Sequence, residues 1–122
     1  DILMIKSILP ENSNYFNDKF LLSGKTYESL GDIYFVNNDI QNSIRYYSCA
    51  SKLGELTASF KLGLIYSSTE YKDIIKDDLK SIFYFSRVIN YHIDPDLKKS
   101  EKKKTYEYKL FSNIFILKFK IK

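Results

Sequence analysis

Cysteine, histidine and tryptophan are almost absent from this chain, which has one Cys, one His and no Trp in 122 residues. A single cysteine, Cys49, excludes an internal disulfide, and a single histidine, His92, excludes a His-rich metal or catalytic cluster. Glycine and proline are also scarce, at four and two, whereas there are 11 Tyr and 9 Phe. This composition is typical of a folded domain that needs no disulfide or metal to hold its core.

Arginine is also scarce in this chain. The chain carries a formal charge of +4, yet only Arg45 and Arg87 contribute arginine and the remaining basic residues are lysines. A basic chain raises nucleic acid or an anionic membrane surface as partners. Because arginine is favoured for bidentate phosphate recognition, its near absence argues against nucleic acid. No apolar run approaches the roughly 18 residues of a membrane span.

Apolar residues recur at three- and four-residue steps almost throughout, which predicts helices. Turn signals separate these segments at 37–39, 53–55, 67–69 and 92–96. Helices of ten to fifteen residues joined by short turns predict an all-α fold. Only 117–122, where apolar residues alternate with lysine, suggests a terminal strand.

The sequence repeats itself. The pattern Leu30-Gly31-x-x-Tyr34 returns 32 residues later as Leu62-Gly63-x-x-Tyr66. The segment that follows each copy also recurs, 39–50 as 77–88, with an offset of 38 residues. The six extra residues predict a longer loop within 67–76 of the second unit.

Small residues explain the repeat physically. A glycine within a helix costs up to about 1 kcal/mol relative to alanine, so its presence in both copies indicates close packing. We expect Gly31 to approach Ser43, and Gly63 to approach Ser81, where two helices cross. One such helix pair cannot bury its own apolar faces, so neighbouring helices must stack on it.

These motifs resemble a tetratricopeptide-type helical repeat, and most closely its Sel-one-like variant. The first unit follows the tetratricopeptide pattern through Tyr27, Leu30, Gly31, Tyr34, Ser43, Tyr47 and Ala50. The junction 50–66 is similar to the Sel-one-like linker, with Gly54 where the second helix must stop in a left-handed residue. The usual Gly-x-Gly of the loop between the helices is missing from both units, and Ser59 replaces the first aromatic of the second.

The resemblance implies an α-solenoid of antiparallel helix hairpins, with two repeats and flanking helices. We expect repeat 1 over 24–57 and repeat 2 over 58–92. Residues 1–23 then form an N-terminal flanking helix or a degenerate repeat. Residues 93–122 form a basic turn followed by a third-repeat or capping helix. Because the chain opens on Asp1, we expect it to belong to a larger chain or complex.

Proteins of this family bind other proteins through a concave face lined by the first helix of each unit, and so the resemblance implies a protein-binding adaptor or scaffold. The spacing places these residues on that face: Lys25, Glu28, Asp32, Phe35, Thr57, Phe60, Leu64 and Ser67. The result is a groove with an acidic end and an apolar middle. Phe60 and Leu64 are the candidate anchors, unless both pack against the next helix instead.

Nothing in the sequence indicates catalysis or a cofactor. Phosphate loops, Ser-His-Asp sets and metal-ligand spacings are missing, so we predict that the protein is not an enzyme. One alternative function is a basic helical module in which the lysines of 98–104 and the C-terminal helix contact nucleic acid or an anionic membrane. Another is a structural subunit of a larger assembly. The sequence leaves the identity of the partner open.

Overall fold

The computed structural model describes residues 22–120 of the chain, except for the side chain of Lys120. Within this range the regular structure consists of five helices and no strand. The helices are α1 (Gly24–Val36), α2 (Ile40–Lys52), α3 (Leu56–Ser67), α4 (Asp78–Ile89) and α5 (Lys99–Lys120). The all-α class is confirmed for these residues. The flanking helix predicted at the N-terminus falls on residues 1–21, which lie outside the described range.

Local sequence explains where the helices begin and end. The side chains of Ser23, Asp39 and Asp77 each accept a hydrogen bond from the backbone N–H three residues further on, at the starts of α1, α2 and α4. Gly54 follows α2 with φ +92°, the left-handed conformation expected of it. Asn38, between α1 and α2, has φ +62°, so an asparagine supplies the left-handed residue in a loop without glycine.

Consecutive helices pack against one another along the chain, from α1 on α2 to α4 on α5. Only three residues, 37–39, join α1 to α2, whereas ten residues, 68–77, join α3 to α4. The longer loop predicted for the second unit is therefore confirmed. α3 begins at Leu56, two residues before the predicted start of repeat 2, which is within the usual variation of helix ends.

Both helix pairs contain the predicted approach of glycine and serine. The buried Ser43 hydroxyl donates to the carbonyl oxygen of Gly31 at 2.8 Å, and the buried Ser81 hydroxyl donates to that of Gly63 at 3.0 Å. A Cβ atom on Gly31 would lie under 3.0 Å from the Tyr47 ring, and one on Gly63 equally close to the Phe85 ring. Each glycine is thus required by the ring that lies against it.

Aromatic stacking is also shared between the pairs. The rings of Tyr34 and Tyr46 stack with centroids 5.3 Å apart, and those of Tyr66 and Tyr84 stack at 6.0 Å. These four residues are related by the same sequence offsets as the glycines and serines. The pair α1/α2 and the pair α3/α4 therefore use equivalent residues for equivalent contacts.

The predicted terminal strand is wrong for the described residues, because α5 continues through 117–120. The reason is aromatic packing at helical spacing. Phe115 lies 4.6 Å from Phe85 and 5.1 Å from Phe119, measured between ring centroids. Residues four apart are neighbours on a helix but lie roughly 13 Å apart in a strand. The contact between Phe115 and Phe119 therefore favours a helix over the strand that the apolar–lysine alternation predicts. The helix predicted within 93–122 starts at Lys99, so it includes most of the lysines of that segment.

Candidate functional site

The acidic residues predicted at one end of the groove are paired across α1 and α3. Glu28 accepts hydrogen bonds from Thr57 Oγ1, at 2.6 and 2.7 Å, and from Lys61 Nζ at 2.7 Å. Lys61 Nζ also lies 2.9 Å from Asp32 Oδ1. The Glu28 side chain is only 13% exposed and Asp32 is about half exposed. Lys61 therefore offsets the negative charge of Glu28 and Asp32, for which the sequence analysis predicts no basic partner.

Tyr47 of α2 joins Glu28, Asp32, Thr57 and Lys61, and these five residues form one polar cluster. Its hydroxyl donates to Asp32 Oδ1, and Lys61 Nζ lies 5.5 Å from the centroid of its ring. Burial, followed by the hydrogen bond to Asp32, raises the Tyr47 pKa well above its usual value. Burial alone would lower the Lys61 pKa, but its hydrogen bonds to Glu28 and Asp32 more than compensate and raise it. Both groups are held in their protonated forms, in which they donate to the carboxylates, so the cluster fastens α1 to α3.

Phe60, the first of the two candidate anchors, lies beneath α5. Its ring centroid is 4.6 Å from that of Tyr108 and 5.3 Å from that of Phe111. It also meets the buried Phe85 of α4, at 5.7 Å. The structure thus places Phe60 against the next helix, which is the second of the two interpretations that the sequence left open.

Leu64, the second candidate anchor, remains accessible at 39% exposure. Phe111 of α5 contacts Phe60, which lies four residues before Leu64 on α3, and is itself 45% exposed. Lys25 is exposed, whereas Ser67 donates its hydroxyl to the Leu64 carbonyl oxygen at 2.9 Å. Two apolar side chains of this region thus remain accessible, Leu64 on α3 and Phe111 on α5.

Phe35, at the end of α1, is half-buried. Its ring packs edge-on against Tyr71 of the 68–77 loop, with centroids 5.9 Å apart. The long loop thus reaches back over the first helix pair and covers this part of the predicted face. Sequence analysis missed Tyr71 because the loop has no counterpart in the first unit.

Lys61 was also missed, although a signal for it was present. Thr57 and Lys61 are four residues apart on α3, as are Glu28 and Asp32 on α1. Residues at this spacing share one helix face, so a pair of hydrogen-bond donors on α3 and a pair of carboxylates on α1 indicate a bridge between the two helices. Phe111 gave no such signal, because it stands where the earlier units have their glycine.

Cys49 and His92 have no catalytic surroundings. Cys49 is buried in α2, and burial raises the pKa of its thiol to about 11, despite an opposing effect of Lys52. A thiol of this kind is a poor nucleophile. His92 is exposed in the loop before α5. Within residues 22–120 no group of three or more His, Cys, Asp or Glu side chains is arranged to hold a metal ion.

The predicted basic segment becomes the start of α5. Lys99, Lys103 and Lys104 are exposed there, and Lys102 is half-buried. A surface depression of about 770 Å³ runs along this first part of the helix, and among the described residues Lys99, Lys103, Tyr106 and Leu110 help to line it. None of the helices in the described range is long and apolar enough to cross a membrane.

Comparison with protein-family models, with curated proteins and with solved structures finds no match to this chain. The resemblance to tetratricopeptide and Sel-one-like repeats therefore stays a prediction from the motifs quoted above.

Proposed function

We propose that this protein is a non-catalytic adaptor or scaffold, built as an α-solenoid of tetratricopeptide- or Sel-like helix hairpins, that binds another protein. The observation that carries the proposal is the equivalence of the two helix pairs. Ser43 and Ser81 donate to Gly31 and Gly63, and the same positions in each pair supply the stacked tyrosines. Stacked pairs of this kind present an extended surface, and proteins built in this way commonly use that surface for binding.

The proposed binding face follows the first helix of each unit. Side chains link these helices: Glu28 to Lys61 between α1 and α3, and Phe60 to Phe111 between α3 and α5. Leu64 on α3 and Phe111 on α5 are accessible apolar residues, and Asp32 on α1 is about half exposed. Exposed aromatic and aliphatic side chains that become buried commonly dominate binding energy, so Leu64 and Phe111 replace Phe60 as the expected anchors.

Leu64→Glu tests this face directly. The full-length protein and the variant are used to capture partners, which are identified by mass spectrometry. We expect at least one partner to be lost with Leu64→Glu, because a carboxylate cannot be buried against an apolar partner without a large penalty. Leu79→Glu is the matched control, since Leu79 is 80% exposed on α4 and lies outside the face.

One result would count against this proposal, and another would call for a different variant. If Leu64→Glu and Leu79→Glu retain the same partners as the original chain, the binding face lies elsewhere. If Leu64→Glu loses helical circular dichroism, its effect arises from unfolding. In that case Leu64→Ser, which removes the apolar contact without adding charge, replaces it.

The alternative of a basic module for nucleic acid or an anionic membrane is favoured by one observation, the exposed lysines at the start of α5. Glu101 and Glu107 stand among them and are exposed as well, which reduces the local positive charge. Binding of this kind weakens steeply with salt, because it releases counterions. Retention on heparin or on anionic vesicles at low salt, lost at moderate salt, would move this alternative to first place.

A further inference from the structure

The outer face of α5 carries a second apolar surface. Thr105 and Ser112 are buried on the inner face, where α5 packs on α4. The outer face instead presents four large apolar side chains that are between 49% and 61% exposed, namely Tyr106, Leu110, Ile114 and Leu117. Clustered apolar residues of this kind on a surface mark a site of interaction.

The spacing on this face suits a single helix. Tyr106, Leu110, Asn113 and Leu117 follow one another at steps of four, three and four residues, which is the seam spacing of helix-to-helix packing. The four apolar side chains of the outer face cover an arc of about 80° around the helix, and the partly exposed Phe111 lies about 60° further round, towards α3. The exposed Asn113 also lies within the seam. These features favour a helical partner over a lipid bilayer.

Charge defines the partner further. The exposed Lys99 and Lys103 stand at one end of the stripe, and the exposed Lys118 stands at the other, with Glu107 at its edge. In a second copy of the chain, a parallel pairing would place Lys103 beside Lys103. An antiparallel pairing would place Lys103 near Lys118. Both arrangements set like charges against each other, so self-association is disfavoured and a partner with carboxylates at both ends is favoured.

We infer that the outer face of α5 docks an amphipathic helix of another protein, with an apolar stripe flanked by acidic residues. The site lies on the same helix as Phe111 but uses different residues from the face of Leu64, and it requires only that α5 be formed. A negative result for this site would therefore leave the proposed adaptor function unaffected, and the reverse also holds.

The test uses a synthetic peptide of about three heptads, with leucine at the seam positions and glutamate beside them, labelled for fluorescence anisotropy. A peptide with lysine in place of every glutamate is the reference. We expect the acidic peptide to bind the full-length chain roughly tenfold or more tightly than the basic peptide. Leu110→Glu should weaken acidic-peptide binding by roughly tenfold or more, because Leu110 lies at the centre of the seam.

Matched variants distinguish this site from other surfaces. Leu79→Glu and Leu64→Glu should leave peptide binding within about twofold, since neither residue lies on the outer face of α5. Lys103→Glu should reduce the preference for the acidic peptide. Equal binding of the two peptides, or no binding of either, would overturn the inference. So would a concentration-dependent dimer that Leu110→Glu abolishes, or binding to anionic vesicles alone, because each identifies another occupant.

Discussion

In the first helix pair the ring that lies against the glycine is Tyr47, and in the second it is Phe85. Both rings are buried, and each is fixed next to a glycine whose carbonyl accepts from a serine. Their outer surroundings differ. Tyr47 meets Asp32 and Lys61, whereas Phe85 lies among the aromatic rings of Phe60, Phe111 and Phe115.

The difference follows from what covers each pair. α5 lies over the second pair and supplies two of the rings around Phe85, so an apolar side chain is the one that can be buried there without a hydrogen-bond partner. Over the first pair, α3 supplies Lys61, and Asp32 accepts a hydrogen bond from Tyr47, so a buried phenol hydroxyl has a partner there. The contact between glycine and serine is thus common to both pairs. The side chains around the neighbouring ring differ because α3 covers the first pair and α5 covers the second.

The largest effect is expected when Phe85 is removed from the aromatic cluster that it forms with Phe60, Phe111 and Phe115. Phe85→Ala should lower the free energy of unfolding by about 3–5 kcal/mol, because the ring is fully buried and its loss leaves a cavity. Phe83→Ala is the control, since Phe83 is about half exposed on the same helix, and we expect less than about 1 kcal/mol. Urea denaturation followed by circular dichroism measures both. Equal losses would mean that the cluster is not the core of the second pair.

The glycines provide the next test, because they are where the two pairs should behave alike. Gly31→Ala and Gly63→Ala should each destabilise the protein by about 1–3 kcal/mol, since a Cβ atom would overlap the Tyr47 or Phe85 ring. Alanine is otherwise the better helix former, so the sign of the change is informative. Lys25→Ala, at an exposed position in α1, should be nearly neutral. A rise in stability for either glycine variant would contradict the close approach.

The repeat could be predicted from the sequence because its close contacts require particular residue types. Few residues other than glycine fit beneath Tyr47 or Phe85, and the serine hydroxyl needs a nearby acceptor, so these positions are visible in one sequence. The same holds for Gly54, where a positive φ favours glycine.

The candidate site was predicted less well, because exposure depends on which helices cover it. Phe60 and Leu64 have the same apolar character and the same helix face in the sequence, yet α5 covers one and leaves the other accessible. Likewise, the charge of Glu28 could be judged only with Lys61, which is 33 residues away and on another helix. Spacing within a helix shows which residues share a face, but it does not show what that face meets.

The smallest expected effect is a change of the free energy of unfolding with pH. This change distinguishes the polar first helix pair from the apolar second pair. The pKa values of Tyr47 and Lys61 are raised in the folded protein, so both stabilise the fold fully below their unfolded pKa values, near 10. As pH rises beyond about 10 towards the higher folded values, this stabilisation is lost. Urea denaturation between pH 8 and pH 11, at about half-unit steps, should therefore show stability falling at the alkaline end. Tyr47→Phe should make this fall shallower.

The slope that remains in Tyr47→Phe has several sources, namely Lys61, the Cys49 thiol, whose pKa burial raises to about 11, and two tyrosines whose pKa values burial raises, Tyr66 and Tyr71. Tyr66 also has a raised pKa, first because of burial and then because of Tyr84 and Asp77, and it is unchanged in this variant. Tyr66→Phe is therefore the matched control: it should remove the part of the slope that belongs to the second pair and leave the part due to Tyr47 and Lys61. If Tyr47→Phe has the same alkaline slope as the original chain, the Tyr47 hydroxyl does not depend on Asp32, and the two pairs do not differ in the way described above.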